Sequence, residues 1–334
     1  MMILAGDIGG TKTLLALYEV EASEIDGHAP RLREVKRERF ASTEFASLMP
    51  MLQRFLAAEQ LHFQCATLAV AGPVINGVCK ATNLPWVVDA NELAQVFDVR
   101  HFGLINDFQA IAMAVEILDE KDLHTLHPGS PSATGVRAVI GAGTGLGQAL
   151  LVPTDHEWKV LASEGGHTDF APRDDLEMKL LAYLLTKHRR VSYERVLSGA
   201  GIVNLYQFLV SKGIEEASSK VEQALTDESD DAAAITAEAL ANTNAACSRA
   251  VEMFVSIYGA EAGNLALKCL PYGGLYVAGG IAPKILPKLD GFVQSFLNKG
   301  RMSPLLQRVP VHVILDTHVG LRGAALNAVR LSRT

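Results

Sequence analysis

The 334-residue sequence offers no apolar run suited to crossing a bilayer. The uncharged stretch Ala138 to Thr154 is interrupted by four glycines and a proline, and it falls short of the ~20 apolar residues a membrane helix needs. A basic leader is lacking too, and Asp7 breaks the apolar opening before a signal-peptide core can form. Cysteine is scarce: Cys65, Cys79, Cys247 and Cys269 stand at spacings that make no close pair. They read as buried thiols in a reducing compartment, so a cytoplasmic chain is expected. Positive charge is also short. The 30 Lys and Arg residues face 37 Asp and Glu residues, for a formal net charge of -7. An acidic surface repels phosphate backbones and anionic lipids, which argues against nucleic acid and membrane surfaces as partners. What the sequence does hold is core material. Hydrophobic residues make up 49% and charged residues 20%, which excludes a disordered or collagen-like chain. At ~150 residues per domain, the length suits about two domains.

The pattern along the chain is one of strands alternating with helices. Ile3 to Gly6 is a short apolar run that ends at Asp7, Gly9-Gly10-Thr11 makes a turn, and Leu14 to Val20 resumes β-type composition. The spacing of Phe45, Leu48, Leu52, Phe55 and Leu56 predicts a helix over 44–60, with Pro50 in its first turn if Ser47 caps. Cys65 to Ala71 reads as a buried strand. Ile75-Asn76-Gly77-Val78 is a two-residue hairpin signal, and Asp89 with Glu92 forms a capping box for a helix through Phe97. His101 to Ile105 is a strand, and Phe108 to Leu118 follows Asn106-Asp107 as a buried helix. The basic stretch Arg31 to Arg39 alternates faces and contains two glutamates, which suits a solvated edge strand or hairpin.

Further on, the grammar of the opening returns. Val136 to Ile140 is an apolar strand, Gly141 to Gly147 is glycine-rich, and Gln148 to Val152 runs back. This reads as a structural duplication, since no 20–50-residue period is visible. The second half is richer in helix: the acidic tract Asp227 to Asp231 leads into a long helical region through Lys268. Gly274 to Gly279 and Val311 to Leu315 are the last strands, and a helix from Gly320 closes the chain. An α/β protein of two domains with a cleft between them is the expected architecture.

Several segments carry residues suited to chemistry. Gly6-Asp7-Ile8-Gly9-Gly10-Thr11-Lys12 offers unobstructed backbone N–H groups and a hydroxyl, a concavity that suits phosphate oxygens. Asp7 at its mouth is placed to hold Mg²⁺ through water, with no direct protein ligand assigned. An ordinary tight hairpin is the plainer alternative. Neither glycine run fits the P-loop pattern, and the strand-like residues after Gly147 argue against a dinucleotide fingerprint. Asn106-Asp107 follows a buried strand, where ligands of open α/β sheets bind. An Asp there can act as general base, or the pair can simply cap the next helix. Ser163 to Asp169 sets Glu164 and His167 around Gly165-Gly166, able to bond adjacent hydroxyls. A structural loop is the alternative, and zinc would want more Cys or His nearby. Taken alone, Glu194 reads as a surface carboxylate or cap, and Ala278-Gly279-Gly280-Ile281 as a strand ending where a flat group could lie.

Taken in order, these segments, together with Thr82-Asn83-Leu84-Pro85-Trp86 and Glu194-Arg195-Val196-Leu197-Ser198-Gly199, resemble the bacterial glucokinase family over nearly the whole chain. The resemblance implies the two-domain actin-like ATPase (ribonuclease H-like) fold shared with hexokinase and heat-shock chaperones, with ATP and sugar in the cleft. It implies ATP-dependent phosphorylation of D-glucose to glucose 6-phosphate with Mg²⁺, and a homodimer. By position, Asp107 takes the role of catalytic base on the 6-hydroxyl, and Asn106, Glu164, His167 and Glu194 the roles of ligands to other hydroxyls. Gly6, Asp7, Ile8, Gly9, Gly10 and Thr11 correspond to the first phosphate loop, Gly143, Thr144 and Gly145 to the second, and Gly279-Gly280 to the adenosine motif. The implied domains are 1–117 with 318–334, and 118–317. Lys12 departs from the Asn that many members carry and matches the related ROK kinases and repressors, yet the ROK cysteine-rich zinc motif is absent. Alternatives are a kinase for another hexose, an actin-like ATPase without a sugar substrate, and a ROK-type repressor, which would need an N-terminal helix-turn-helix and a more basic surface.

Overall fold

In the computed structural model, β1 (Met2–Ile8) and β2 (Lys12–Glu21) fold back on each other antiparallel across the first glycine turn, with Gly6 opposite Leu15 and Ile8 opposite Thr13. The structure describes all residues except 22–30, 58–61, 82–83, 156, 227–229 and 334. Thr82-Asn83 and residues 227–229 of the acidic tract therefore lie outside the described residues. Two units divide the chain: Met1–Glu120 with Pro153–Ala162 and Asp316–Thr334, and Lys121–Val152 with Ser163–Leu315.

The first unit continues with β3 (Arg31–Ala41), α1 (Leu48–Ala57), β4 (Cys65–Val70), β5 (Val74–Ile75), β6 (Val78–Lys80), β7 (Val87–Asp89), α2 (Ala90–Val96), β8 (His101–Asn106) and α3 (Asp107–Ala114). Its main sheet has the order β3-β2-β1-β4-β8, with β1, β4 and β8 parallel. The basic stretch is the edge strand, mostly solvated, as its charge alternation requires. Successive side chains of β1 take opposite faces. Leu4 and Ile8 join Leu48, Met51 and Phe55 of α1 and Leu93 of α2, while Ile3 and Ala5 join Ala110 and Met113 of α3 and the C-terminal helix residues Leu321, Ala324 and Ala328. Helices thus cover both faces of the sheet.

Two helices differ from the pattern-based expectation. Helix α1 begins at Leu48, because Ser42–Glu44 forms a separate 3₁₀ turn and the Phe45 ring packs edge-on against Phe40; residues 58–60 of the expected helix lie outside the described residues. Helix α3 begins at Asp107 and ends at Ala114. Beyond it, the N–H groups of Val115, Glu116 and Ile117 reach back only three residues, which closes the helix before Leu118. The Asn76-Gly77 hairpin and the Asp89 cap form as their sequences require: Asn76 and Gly77 both have positive φ, and Asp89 accepts from the Asn91 and Glu92 N–H groups.

The second unit contains β9 (Leu123–His127), β10 (Arg137–Ala142), β11 (Leu146–Pro153), α4 (Asp175–Leu185), α5 (Gly199–Ser211), α6 (Ser219–Thr226), α7 (Asp231–Ala241), α8 (Ala245–Cys269), β13 (Leu275–Ala278), α9 (Asp290–Leu297), α10 (Ser303–Leu306) and β14 (Val311–Ile314). Strand β12 (Trp158–Ser163) follows β11 in the chain, and α11 (Val319–Leu331) is the C-terminal helix of the first unit. Strands β10 and β11 form an antiparallel hairpin, and β13 and β14 add in parallel beside β10, with β9 antiparallel at β14. A glycine hairpin followed by parallel strands is therefore built twice, as the repeated sequence grammar anticipates. The long helical region through Lys268 is not continuous. Asn242 adopts φ 53°, and Asn244 then caps α8 by accepting from the Cys247 N–H. Asn tolerates the left-handed conformation and can cap a new helix, so the chain breaks there. Cys65, Cys79 and Cys247 are buried thiols, whereas Cys269 is half-buried; all four are free.

Candidate active site

In the first unit the candidate residues gather at one end of the sheet. The Gly9 N–H donates to the Lys12 carbonyl at 3.0 Å, closing the glycine turn. Ser42, fully buried, donates its hydroxyl to the Gly9 carbonyl at 2.7 Å and lies 2.9 Å from the Thr13 hydroxyl, while its backbone N–H donates to the Thr11 carbonyl at 3.0 Å. This latch was invisible in the sequence, where a lone Ser thirty residues downstream carries no signal. Gly6 and Ile8 are core residues of β1. A Cβ on Gly6 would lie 2.5 Å from Leu68 Cδ2, so sheet packing accounts for this glycine. Gly9 and Gly10 are half-buried, while Thr11 and Lys12 are exposed at the turn.

Asp7 shares the sheet face of Ile3 and Ala5, the face covered by α3 and α11. Its carboxyl is pushed up to about 6, first by burial, then by the negative charge of Asp107, with Lys12 opposing. A like charge nearby, in a dry place, disfavours ionisation. Asp107 is the first residue of α3, half-buried, with its Oδ1 accepting from the Phe108 N–H at 2.8 Å. Asn106 is the cap: its Oδ1 accepts from the N–H groups of Phe108 and Gln109 at 2.9 and 3.2 Å, and its Nδ2 donates to the Gly72 carbonyl at 3.2 Å. The capping alternative therefore describes the Asn106 oxygen, while one N–H of its amide is left for other partners by count.

In the second unit Glu164, His167 and Glu194 come together from segments distant in sequence. The Phe170 N–H donates to the Val191 carbonyl and the Tyr193 N–H to the Thr168 carbonyl, laying the two segments side by side. His167 then stands between two carboxylates, with Nε2 3.8 Å from Glu164 Oε2 and Nδ1 3.8 Å from Glu194 Oε1. Glu164 is almost wholly exposed, at 90% of its side chain, against 31% for Glu194. Glu194 is no mere surface carboxylate, since its Oε2 accepts from the Leu146 N–H at 3.1 Å. A Cβ on Gly145 would lie 2.5 Å from that oxygen, so the second glycine turn is shaped around Glu194.

That turn closes with the Gly143 N–H donating to the Gly145 carbonyl at 2.8 Å, and the Gly199 N–H, at the start of α5, donates to the Gly143 carbonyl at 2.9 Å. Gly143 has open space on its side-chain side, as does Gly280, and Thr144 is exposed. Gly279, at φ 86°, lies against the Ala142 carbonyl so closely that any side chain would collide. Since β10 and β13 are parallel neighbours, with Gly141 paired to Ala278, both glycine segments emerge at the carboxyl ends of adjacent strands. Ligands of α/β sheets bind at such ends.

Comparison with known proteins agrees in a single direction. The family model described as Glucokinase matches residues 4–331. A curated glucokinase of Nostoc sp. is 47% identical over 99% of both chains, and that of Synechocystis sp. is 44% identical over 98% of both. The chain belongs to the glucokinase family. A solved glucokinase from an Antarctic psychrotroph superposes with a TM-score of 0.85 at 34% identity, covering 98% of this chain and 99% of that one. A ROK-family glucokinase from Streptomyces griseus reaches a TM-score of 0.65 at 20% identity, a likeness of fold alone. The fold is that of the actin-like ATPases. The Asp7 carboxyl, raised by burial and by the Asp107 charge, is a group whose ionised form a nearby cation would favour. Among the described residues no helix is long and apolar enough to cross a membrane.

Proposed function

We propose that this chain transfers the γ-phosphoryl group of ATP to O6 of D-glucose, with Asp107 as the general base. The observation that carries the reading is the bond between Glu194 and the Leu146 N–H, which ties a hydroxyl-binding cluster to a phosphate-type glycine turn. Family membership supports the substrates, as do two solved relatives of the same fold: a glucokinase of Balamuthia mandrillaris in complex with glucose, and the Streptomyces griseus enzyme in complex with glucose and AMPPNP.

In this mechanism Asp107 accepts the proton of the 6-hydroxyl as O6 attacks the γ-phosphorus. The bond from that phosphorus to the β-phosphate oxygen breaks, and ADP leaves with the electron pair. Asp107 takes the first position of α3, directly after β8. Asn106 fixes that position by capping α3, and the second N–H of its amide bonds a sugar oxygen. Glu164 and Glu194 accept from sugar hydroxyls, and His167, held between them, bonds a third. An epimer would leave one of these groups unpaired, at roughly 1–3 kcal/mol per unsatisfied partner. The Gly9–Thr11 and Gly143–Gly145 turns bind phosphate oxygens through backbone N–H groups, and Gly279-Gly280 admits the adenosine. Asp7, with Asp107 near it, would hold Mg²⁺ through water; the ion supplies charge neutralisation on the triphosphate.

The test is a coupled assay of ADP release across a panel of hexoses and phosphoryl donors. Glucose with ATP should give the highest kcat/KM. An ATPase rate that no sugar raises would instead establish an actin-like ATPase without a sugar substrate. The free thiols fit a cytoplasmic protein, and the family resemblance implies a homodimer. Light scattering at assay concentration should give twice the chain mass, and a monomer would remove the dimer from the reading.

A further inference from the structure

Close to the Glu164–His167–Glu194 cluster lies a set of buried polar side chains that the chemistry above does not use. Glu261 of α8 is 1% exposed, in a helix otherwise buried through apolar and small residues. A carboxylate so deep needs partners on both oxygens, and it has them. Gln148 Nε2 donates to Oε1 at 2.8 Å, and Asn264 Nδ2 donates to Oε2 at 3.0 Å. The same Asn264 amide donates to the Tyr193 hydroxyl at 3.0 Å, while its Oδ1 accepts from Lys299 Nζ at 2.5 Å. Lys299 also donates to the Ala260 carbonyl at 2.9 Å. Burial, and then the Arg173 charge, hold its ammonium below the ordinary lysine range, while Glu261 pulls the other way.

Each arm of this network ends under one of the two sugar-ligand segments. Gln148, 3% exposed, fills the space where a side chain on Gly165 would stand, and Gly165 separates Glu164 from Gly166-His167. Tyr193 immediately precedes Glu194, and its ring packs edge-on against Phe170, 5.7 Å between centroids, at the end of the His167 segment. We infer that Glu261 is a positioning residue for sugar recognition: one buried carboxylate, through Gln148 on one oxygen and through Asn264 and Tyr193 on the other, holds the Glu164–His167 loop and Glu194 in mutual register. The inference rests on the reading of that cluster as the sugar site. None of the hydrogen bonds named above involves Gly279 or Gly280, so the effect is expected on the sugar side.

The test is steady-state kinetics of the full chain with glucose and ATP varied separately. Glu261→Gln keeps the shape and the acceptor for Gln148 but turns an N–H₂ toward the donors of Asn264. Its glucose KM should rise about 10-fold or more, with the KM for ATP and kcat within about threefold of wild type. The double variant E261Q/N264D restores a carboxylate to the network and should recover the glucose KM to within about threefold. If the carboxylate served folding alone, Tm would fall while the glucose KM stayed put, which would overturn the inference. So would equal rises in both KM values, or a double variant that recovers nothing. Should E261Q fail to fold, Tyr193→Phe removes only the hydroxyl and carries the same test, an unchanged glucose KM overturning it. A wild type that phosphorylates no hexose removes the kinase reading and this inference with it; a wild type active on glucose beside an unaltered E261Q removes this inference alone.

Discussion

The two units hold their acidic groups in opposite ways. In the first, Asp7 and Asp107 are like charges in a partly dry setting, and burial with mutual repulsion lifts the Asp7 carboxyl to about 6. In the second, Glu164 and Glu194 flank an imidazole at 3.8 Å on either side and face solvent to very different degrees. Burial tunes proton affinity, which a group that moves protons or neutralises a cation needs. A solvated cluster that only accepts hydrogen bonds needs placement more than a shifted pKa. On the reading proposed above, Asp7 and Asp107 of the first unit serve the phosphoryl chemistry, and the Glu164–His167–Glu194 cluster of the second tells one sugar from another.

Breaking the first group should cost the most. Asp107→Ala is expected to lower kcat about 10²–10⁴-fold with modest change in glucose affinity; near-normal turnover in the folded variant would take Asp107 out of the mechanism. Next comes the junction within the second unit. Gly145→Ala places a methyl 2.5 Å from Glu194 Oε2, so the carboxylate or the turn must move. A misplacement near 1 Å costs on the order of 10²-fold in kcat/KM, to be read from kinetics against both substrates. A smaller effect is expected at the solvated edge: Glu164→Gln should raise the glucose KM about 10-fold and narrow the preference for glucose over its epimers, leaving kcat nearly intact. Loss of kcat without change in KM would contradict the division of labour between the units.

The smallest effect concerns stability. The Asp7 carboxyl titrates near 6 when folded, against 3.8 in its ordinary state. Between those values the folded protein holds more protons than the unfolded one, so stability falls as pH rises through the window. Asp7→Asn should therefore raise the Tm of the ligand-free protein by a few degrees, roughly, at pH 7.5 and by much less at pH 4.5. Equal shifts at both pH values would show that the buried charge is not the cause.

Much of this was legible in local pattern. The Asn76-Gly77 turn, the Asp89 cap, the alternating edge strand Arg31–Ala41 and the doubled glycine hairpin are decided by neighbours a few residues apart, which is where turn chemistry and periodicity act. Helix ends were harder. Whether the chain breaks at Asn242 or stops at Ala114 depends on what packs beyond, and 3.6-residue periodicity says little about where a helix must yield. The role of Asn106 was legible only as a choice between capping and binding; its bonds from Phe108 and Gln109 and to Gly72 show how it caps.

The order of the glycine turns and acidic motifs, read along the chain, carries the resemblance to the glucokinase family, and the resemblance implies the reaction class. Only the tertiary structure decided that Glu194 leans on the turn at Gly145, that Ser42 latches the first turn, and that a buried Glu261 links Gln148 to Asn264. Such pairings join residues dozens to more than a hundred positions apart. They arise from how strands and helices pack, and a linear sequence carries no distance between groups that meet only in the folded chain.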